Sequence, residues 1–142
     1  MLRFETVRDM VKAYSRDFRH PNLPVFEISG LYDLFPLETT PHAVSAKWPD
    51  TWINSNRAGV YFVLDADLIV LYIGQALNFG YRFGEYFKGG KGPCKLNETH
   101  IWKGSPRFVV TIAVPETSIF ERLALEEYLI SRIKPGDNIR GK

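Results

Sequence analysis

Two short apolar runs joined by a polar reversal constrain this chain more than any other feature. The runs cover about residues 59–65 and 68–74, and the sequence DADL forms the reversal between them. Runs of this length and type predict two β-strands connected as a hairpin. Because antiparallel partners sum to a constant, a reversal centred in the middle of DADL places Tyr61 directly opposite Tyr72.

The two faces of this hairpin have different characters. One face carries Tyr61 and Tyr72, whereas the other is predicted to be a core face formed by Val60, Phe62, Leu64, Ile69, Leu71 and Ile73. Opposed tyrosines allow two interpretations. In the first, they are a structural cross-strand aromatic pair, which stabilises a sheet by about 0.2–1 kcal/mol. In the second, the two neighbouring phenols belong to a functional site.

Composition limits the class of protein. The chain has 142 residues, of which 45% are hydrophobic and 24% charged, as expected for one globular domain with a core. No apolar run has membrane-spanning length. The single cysteine, Cys94, excludes an internal disulfide and favours the cytoplasm. Three scattered histidines and one cysteine give no zinc-site spacing.

The charge is distributed unevenly along the chain. Residues 76–107 contain six basic and two acidic side chains, and residues 131–142 contain four basic and one acidic. Between them, residues 108–130 contain four glutamates and Arg122. This arrangement suits a polyanion partner with a catalytic or metal-binding carboxylate between two basic segments. The alternative is an ordinary solvated surface.

Periodicity predicts an α/β (α+β) fold with a small, largely antiparallel three-stranded central sheet flanked by helices. An N-terminal segment, residues 1–56, contains a helix and a proline-rich irregular stretch with exposed Trp48 and Trp52, and residues 57–142 form the main domain. Besides the hairpin, we predict helices over 4–18, 76–87 and 116–133 and a strand over 106–114.

The last helix contains an anomaly. Its predicted apolar stripe comprises Ile119, Leu123, Ile130 and Ile133. Glu126 falls near the centre of that stripe, Glu127 at its edge and Glu121 on the far side. A carboxylate on a core-facing stripe is costly unless it is paired or coordinated. Glu126 is therefore either paired with an arginine or a metal ligand at the mouth of a cleft.

Arg82 and Tyr86 lie four residues apart on the predicted helix 76–87 and therefore share one face. The simplest interpretation is a surface arginine packed on Tyr86. A basic loop with several glycines follows this helix.

Taken in order, the tripeptides GVY at 59–61 and YIG at 72–74, with Arg82, Glu126 and Asn138, resemble the GIY-YIG nuclease family. The spacing of Glu126, a proline and Asn138 is similar to that in the nuclease domain of the bacterial nucleotide-excision-repair incision subunit. The resemblance covers about residues 57–140 and not residues 1–56. It departs at Gln75, where the repair branch often has lysine.

The resemblance implies roles for individual residues. Glu126 would hold one divalent ion, Mg²⁺ or Mn²⁺, and Arg82 would bind the scissile phosphate. Tyr61 would deprotonate or position the attacking water, and Tyr72 would help to orient water or phosphate. Asn138 would fix the last turn or the surroundings of Glu126. Tyr86 is a further catalytic candidate. His100, in the basic loop, is either a candidate without an assigned role or an ordinary loop histidine. The remaining nucleic-acid contacts would be Gln75, Asn78, Lys88, Lys91, Lys95 and Lys103.

The expected function is that of a metal-dependent endonuclease acting on DNA, without membrane attachment. Residues 1–56 would supply homodimerisation or substrate choice. Two alternatives stay open: a nuclease fold that binds nucleic acid without cutting it, and an interaction protein that presents Trp48, Trp52 and the first helix to a partner.

Overall fold

The computed structural model describes residues 3–97 and 100–138. The ends of the chain and part of the predicted basic segments, residues 1–2, 98–99 and 139–142, lie outside the described residues. In chain order the elements are α1 (Phe4–Phe18), β1 (Glu27–Ile28), β2 (Tyr32–Asp33), β3 (Ala46–Lys47), β4 (Gly59–Leu64), β5 (Val70–Ala76), α2 (Phe79–Tyr86), β6 (Phe87–Lys88), β7 (Lys95–Leu96), β8 (Phe108–Ala113), a 3₁₀ turn (Glu116–Ser118) and α3 (Glu121–Ile133).

Three long antiparallel strands form the centre of the main sheet, as the sequence predicts. The strand order is β3-β2-β8-β4-β5, so the continuously apolar strand β4 lies between β8 and β5. The short strands β1 and β2 both pair with β8, and β3 runs parallel to β2. The proline-rich stretch is thus not wholly irregular, because it adds short strands to the sheet. None of the helices in the described part of the chain is long and apolar enough to cross a membrane.

The predicted register of the hairpin is wrong. Tyr61 pairs with Gly74, and Tyr72 pairs with Val63. The turn is one residue longer than assumed, because the Asp65 carboxylate accepts hydrogen bonds from the backbone N–H groups of residues 67 and 69 at 2.9 and 3.0 Å, and Leu68 adopts a left-handed φ of 65°. The register shifts again after Val63. Tyr61 and Tyr72 are therefore diagonal neighbours on one face.

The sequence predicts a core on one face of the hairpin, but both faces of the sheet are buried. On one face, α1 and α3 cover a core that includes Val60, Phe62 and Ile73. Because of the register shifts, Val70 joins this core in place of the predicted Ile69 and Leu71. On the tyrosine face, α2 and residues of the N-terminal segment form a second core.

The prediction that Trp48 and Trp52 are exposed is wrong, since both are half-buried. The Trp52 ring lies 4.4 Å from that of Tyr32 and 5.0 Å from that of Phe83, between the N-terminal segment and α2. The Trp48 indole N–H donates to the carbonyl oxygen of Gly92 at 2.7 Å. Both side chains therefore make contacts inside the fold, and Trp48 also lines a cavity together with Pro49 and Pro93.

The N-terminal helix is also part of the fold. α1 spans Phe4–Phe18 as predicted and buries Val7, Val11 and Tyr14 in the core that it shares with α3. The division of the chain at residue 56 stays a prediction.

The predicted apolar stripe of the last helix is wrong at its N-terminal end. α3 begins at Glu121, after a 3₁₀ turn, and the side chains of Ile119 and Leu123 are exposed. Its buried apolar residues are Leu125, Leu129, Ile130 and Ile133. Glu121, predicted on the far side of the helix, is buried. Its negative charge is paired there, because the Arg19 guanidinium donates to its carboxylate at 2.7 and 3.0 Å. Viewed down the helix axis, Glu126 falls between Ile130 and Ile133, and it is half-buried.

The Glu121 ion pair predicts a pH dependence of stability. Hydrogen bonding from Arg19, and then from Ser118, lowers the pKa of the Glu121 carboxyl. A carboxylate whose pKa is depressed in the folded state stabilises the fold above its unfolded pKa of about 4.3, and this contribution is lost as the pH falls through the folded value. We expect Glu121→Gln to lower the free energy of unfolding at pH 7 and to make it less sensitive to acid, as measured by urea unfolding between neutral and acid pH. Glu127→Gln, at an exposed neighbouring position, should retain the wild-type profile; an unchanged profile for Glu121→Gln would contradict the assignment.

Candidate active site

Tyr61 lies in the middle of the central strand β4 and is almost fully buried. A Cβ atom at its partner Gly74 would lie 2.4 Å from both the Cζ atom and the hydroxyl of Tyr61. The phenol ring therefore passes over the place that any other side chain would occupy. This close approach is a physical reason for glycine at the end of the YIG tripeptide.

Tyr61, Tyr72 and Tyr86 form one cluster. The hydroxyl of Tyr61 is 2.9 Å from that of Tyr86. The ring of Tyr72 lies 6.1 Å from the ring of Tyr61 and 6.2 Å from that of Tyr86. Tyr72 is the more accessible of the two hairpin tyrosines, being half-buried where Tyr61 is buried.

Burial controls the protonation of these phenols. Burial raises the pKa of Tyr61 well above its usual range, the neighbouring Tyr86 and Tyr72 add to the rise, and the positive charge of Arg82 opposes it. The pKa of Tyr72 is raised chiefly by burial, with further contributions from Tyr86 and from the charge of Glu126. Both phenols are therefore neutral at ordinary pH, and loss of a proton from either needs additional positive charge nearby.

Helix α2 brings Arg82 and Tyr86 to this cluster. Asn78 caps the helix, its side-chain oxygen accepting a hydrogen bond from the backbone N–H of Tyr81 at 2.9 Å. Tyr86 is buried among the tyrosines, whereas the Arg82 side chain is 40% exposed and lies 3.5 Å from the Glu85 carboxylate. The positive charge of Arg82 thus favours loss of the Tyr61 proton, and its guanidinium can also contact a molecule in solvent.

Glu126 on α3 is half-buried and acts electrostatically on Tyr72. Within residues 3–97 and 100–138, no group of three or more His, Cys, Asp and Glu side chains could hold a metal ion. The donor set at Glu126 fits a hard divalent cation that takes one protein carboxylate and completes its shell with oxygen atoms of water and substrate, as Mg²⁺ commonly does.

Asn138 holds the outer edge of β5. Its side-chain oxygen accepts from the Ile73 backbone N–H at 2.9 Å, and its side-chain NH₂ donates to the Ile73 carbonyl at 2.8 Å. The backbone N–H of Asp137 donates to the carbonyl of Leu71 at 2.9 Å. Asn138 thus fixes the backbone between Tyr72 and Gly74.

The predicted nucleic-acid contacts fall into two groups. Gln75 and Asn78 line a cleft together with Arg82. Lys88 and Lys95 face each other across the β6–β7 pair, and Lys91 lies between these strands in the chain. Lys103 lies further along the chain than these lysines and is exposed. Its backbone N–H donates to the Asp137 carboxylate. Like charges facing each other repel, so an anion bound near β6–β7 would relieve that repulsion.

His100, a candidate without an assigned role in the sequence, belongs to the tyrosine cluster. Its ring lies 5.2 Å from that of Tyr72, 5.3 Å from that of Tyr86 and 4.1 Å from that of Trp102. Burial lowers the pKa of His100, so the imidazole is neutral at ordinary pH. Its Nε2 atom is buried without a hydrogen-bond partner in the described part of the chain. A histidine in a loop with no motif around it carries no signal that could have revealed this.

The chain matches a family model described as the UvrC-like GIY-YIG domain over residues 57–139. It is similar to UvrABC system protein C of Pseudomonas paraeruginosa, with 39% identity over 90 residues, and of Ectopseudomonas mendocina, with 38% over 90 residues. The corresponding protein of Alcanivorax borkumensis is 36% identical over 85 residues.

Each of these alignments covers 60% of this chain and only 13% of the relative. The similarity is therefore to one domain of much longer proteins. No solved structure matches the chain at a significant level.

Proposed function

This chain belongs to the UvrC-like GIY-YIG nuclease family, and on that premise we propose that it is an endonuclease that hydrolyses phosphodiester bonds in DNA with the help of one divalent metal ion. One observation carries the proposal. The cluster of three tyrosines is within electrostatic reach of both the Arg82 cation and the Glu126 carboxylate. A phosphate-binding cation, water-positioning hydroxyls and a cation-binding carboxylate are the groups that hydrolysis of a phosphodiester requires.

In this proposal Arg82 binds the scissile phosphate. Its guanidinium is partly exposed, and its fork of N–H donors suits two phosphate oxygens at once. Phosphate would displace Glu85 from Arg82, since an exposed ion pair of this kind contributes about 0–1 kcal/mol.

Tyr61 and Tyr72 orient the attacking water and the phosphate. Because burial keeps the Tyr61 phenol neutral, its first role is to position water through its hydroxyl, with Tyr86 holding that hydroxyl at 2.9 Å. A role as a base needs cations to lower its pKa, and Arg82 already acts in that direction. Asn138 contributes by holding the β5 backbone next to Tyr72.

Glu126 would hold the divalent ion, Mg²⁺ or Mn²⁺. When bound, such an ion neutralises negative charge on the phosphate and on the leaving oxygen. Binding of DNA around the site would rest on Gln75, Asn78 and the exposed lysines Lys88, Lys91, Lys95 and Lys103. A cytoplasmic location, and dimerisation or substrate choice through residues 1–56, complete the proposal.

A cleavage assay tests the proposal. Supercoiled plasmid and branched oligonucleotides are incubated with the protein and Mg²⁺ or Mn²⁺, and a parallel sample contains EDTA. We expect nicking that EDTA abolishes. Absence of cleavage on every substrate, with tight and salt-sensitive DNA binding, would replace the proposal by the non-cleaving binding module. If the protein neither cuts nor binds DNA, both the endonuclease and the non-cleaving binding module are ruled out.

A further inference from the structure

A polar cleft lies beside the tyrosine cluster, between the end of β5, α2 and the start of α3. Its volume is about 260 Å³. Its lining includes Gln75, Asn78, Arg82, Glu85 and Arg122. Among these residues, Arg122 is the one basic residue of the acidic segment 108–130, and the mechanism proposed above gives it no role.

Contacts with its neighbours hold Arg122 in place. Its Nε–H donates to the side-chain oxygen of Gln75 at 2.8 Å, and its Nη1 donates to the carbonyl of Ile119 at 2.8 Å. Neither partner is charged. Among residues 3–97 and 100–138, no carboxylate lies within ion-pair distance of Arg122. The guanidinium is half-buried, oriented by two neutral acceptors, and retains N–H donors for an anion.

Two guanidiniums on one cleft suit a ligand with more than one negative group. If Arg82 binds the scissile phosphate, the same cleft presents Arg122 to a neighbouring part of the strand. Glu85 also lines the cleft, but its side chain is 66% exposed and paired with Arg82, so solvent screens its charge and it can turn away. A nucleic-acid strand is the ligand whose charges repeat along a chain in this way.

The partner of Arg122 gives a second argument. Gln75 is a neutral residue, so β5 contributes no positive charge at this point of the cleft lining. The Gln75 amide instead holds the guanidinium of α3. We propose, on the basis of the function proposed above, that Arg122 binds a DNA backbone phosphate next to the scissile one and replaces the positive charge that Gln75 lacks.

The test compares Arg122→Gln, Arg122→Lys and the double change Gln75→Lys with Arg122→Gln. Arg132→Gln is the matched control, because Arg132 lies on the same helix but stacks on Tyr128 at 3.7 Å, away from the cleft lining. The binding of a labelled branched DNA is measured by fluorescence anisotropy in EDTA over a range of salt concentrations. Cleavage is measured separately with Mn²⁺, and circular dichroism checks the fold.

For Arg122→Gln we expect about tenfold weaker binding, since one charge-assisted hydrogen bond contributes about 1.5 kcal/mol or more. The slope of log K against log salt should fall in magnitude by about 1. Arg122→Lys should keep the slope, and the double change should restore it. A purely structural role of Arg122 would not alter the salt slope.

Two results would overturn the inference. One is a salt slope of Arg122→Gln equal to that of the wild type. The other is an equal loss in Arg132→Gln, which would mean that only general surface charge matters. If the wild-type protein cuts DNA while Arg122→Gln binds and cuts as well as it does, the inference fails and the proposed function stands. If the wild type neither binds nor cuts, both fail.

Discussion

Replacing Glu126 by glutamine should reduce the rate of DNA cleavage by about 10²–10³-fold, the usual effect of removing one group that stabilises charge in a transition state. Glutamine keeps the size of the side chain but loses the charge that would hold a divalent ion. Glu126 is half-buried and glutamine has nearly the same shape, so the fold should survive the change. The measurement is the initial rate of plasmid nicking in Mg²⁺ or Mn²⁺.

Glu127→Gln is the matched control for this prediction. Glu127 is the next residue on the same helix, and its side chain is exposed. The control should cut at the wild-type rate. Binding of DNA in EDTA should be retained by both variants. Cleavage by Glu126→Gln at the wild-type rate would remove Glu126 from the mechanism, and equal losses in both variants would point to general charge rather than to a metal ligand.

The second large effect concerns stability. Replacing Arg107 by methionine should lower the free energy of unfolding by about 3–5 kcal/mol, because it leaves a buried carboxylate without its partner. The Arg107 guanidinium donates to the two carboxylate oxygens of Asp33 at 2.7 and 3.1 Å, and only 6% and 5% of the respective side chains are exposed. A third bond joins Arg107 to the carbonyl of Glu38 at 2.7 Å. Urea unfolding at pH 7 measures the loss.

Arg16→Met is the control for the buried pair. Arg16 also makes a two-point contact with an aspartate, Asp17, but the side chains are 72% and 47% exposed. Solvent screens a pair this exposed, so its loss should change the free energy of unfolding little. The contrast between the two arginines tests the effect of burial, because each makes the same two-point contact with an aspartate. Similar losses in both variants would contradict the argument. The double change Asp33→Asn with Arg107→Met should recover part of the loss, since it removes the unpaired charge.

The Arg107 pair also shows how the N-terminal segment is joined to the rest of the chain. Asp33 lies on β2, and Arg107 directly precedes β8. The Arg19–Glu121 pair joins the end of α1 to the start of α3 in the same way. Neither pair could be predicted, since the partners are 74 and 102 residues apart and each looks like a surface charge in its own segment.

Local pattern was enough to predict the three long strands, the helix over 4–18 and the family. Hydrophobic alternation and helical periodicity act within a few residues, and the motif residues keep fixed spacing. The same reasoning failed at the ends of elements. The hairpin register depended on the Asp65 side chain and a left-handed Leu68, and one extra turn residue shifts every pair that follows.

The sequence by itself therefore determined which segments form the three long strands and the helices, and to which family the chain belongs. Only the tertiary structure decided what surrounds those residues. It placed His100 against the tyrosines, Asn138 on the edge of β5 and Arg122 on Gln75. The physical reason is range: secondary structure follows from neighbours along the chain, whereas burial, pKa values and ion pairs depend on groups that only folding brings together.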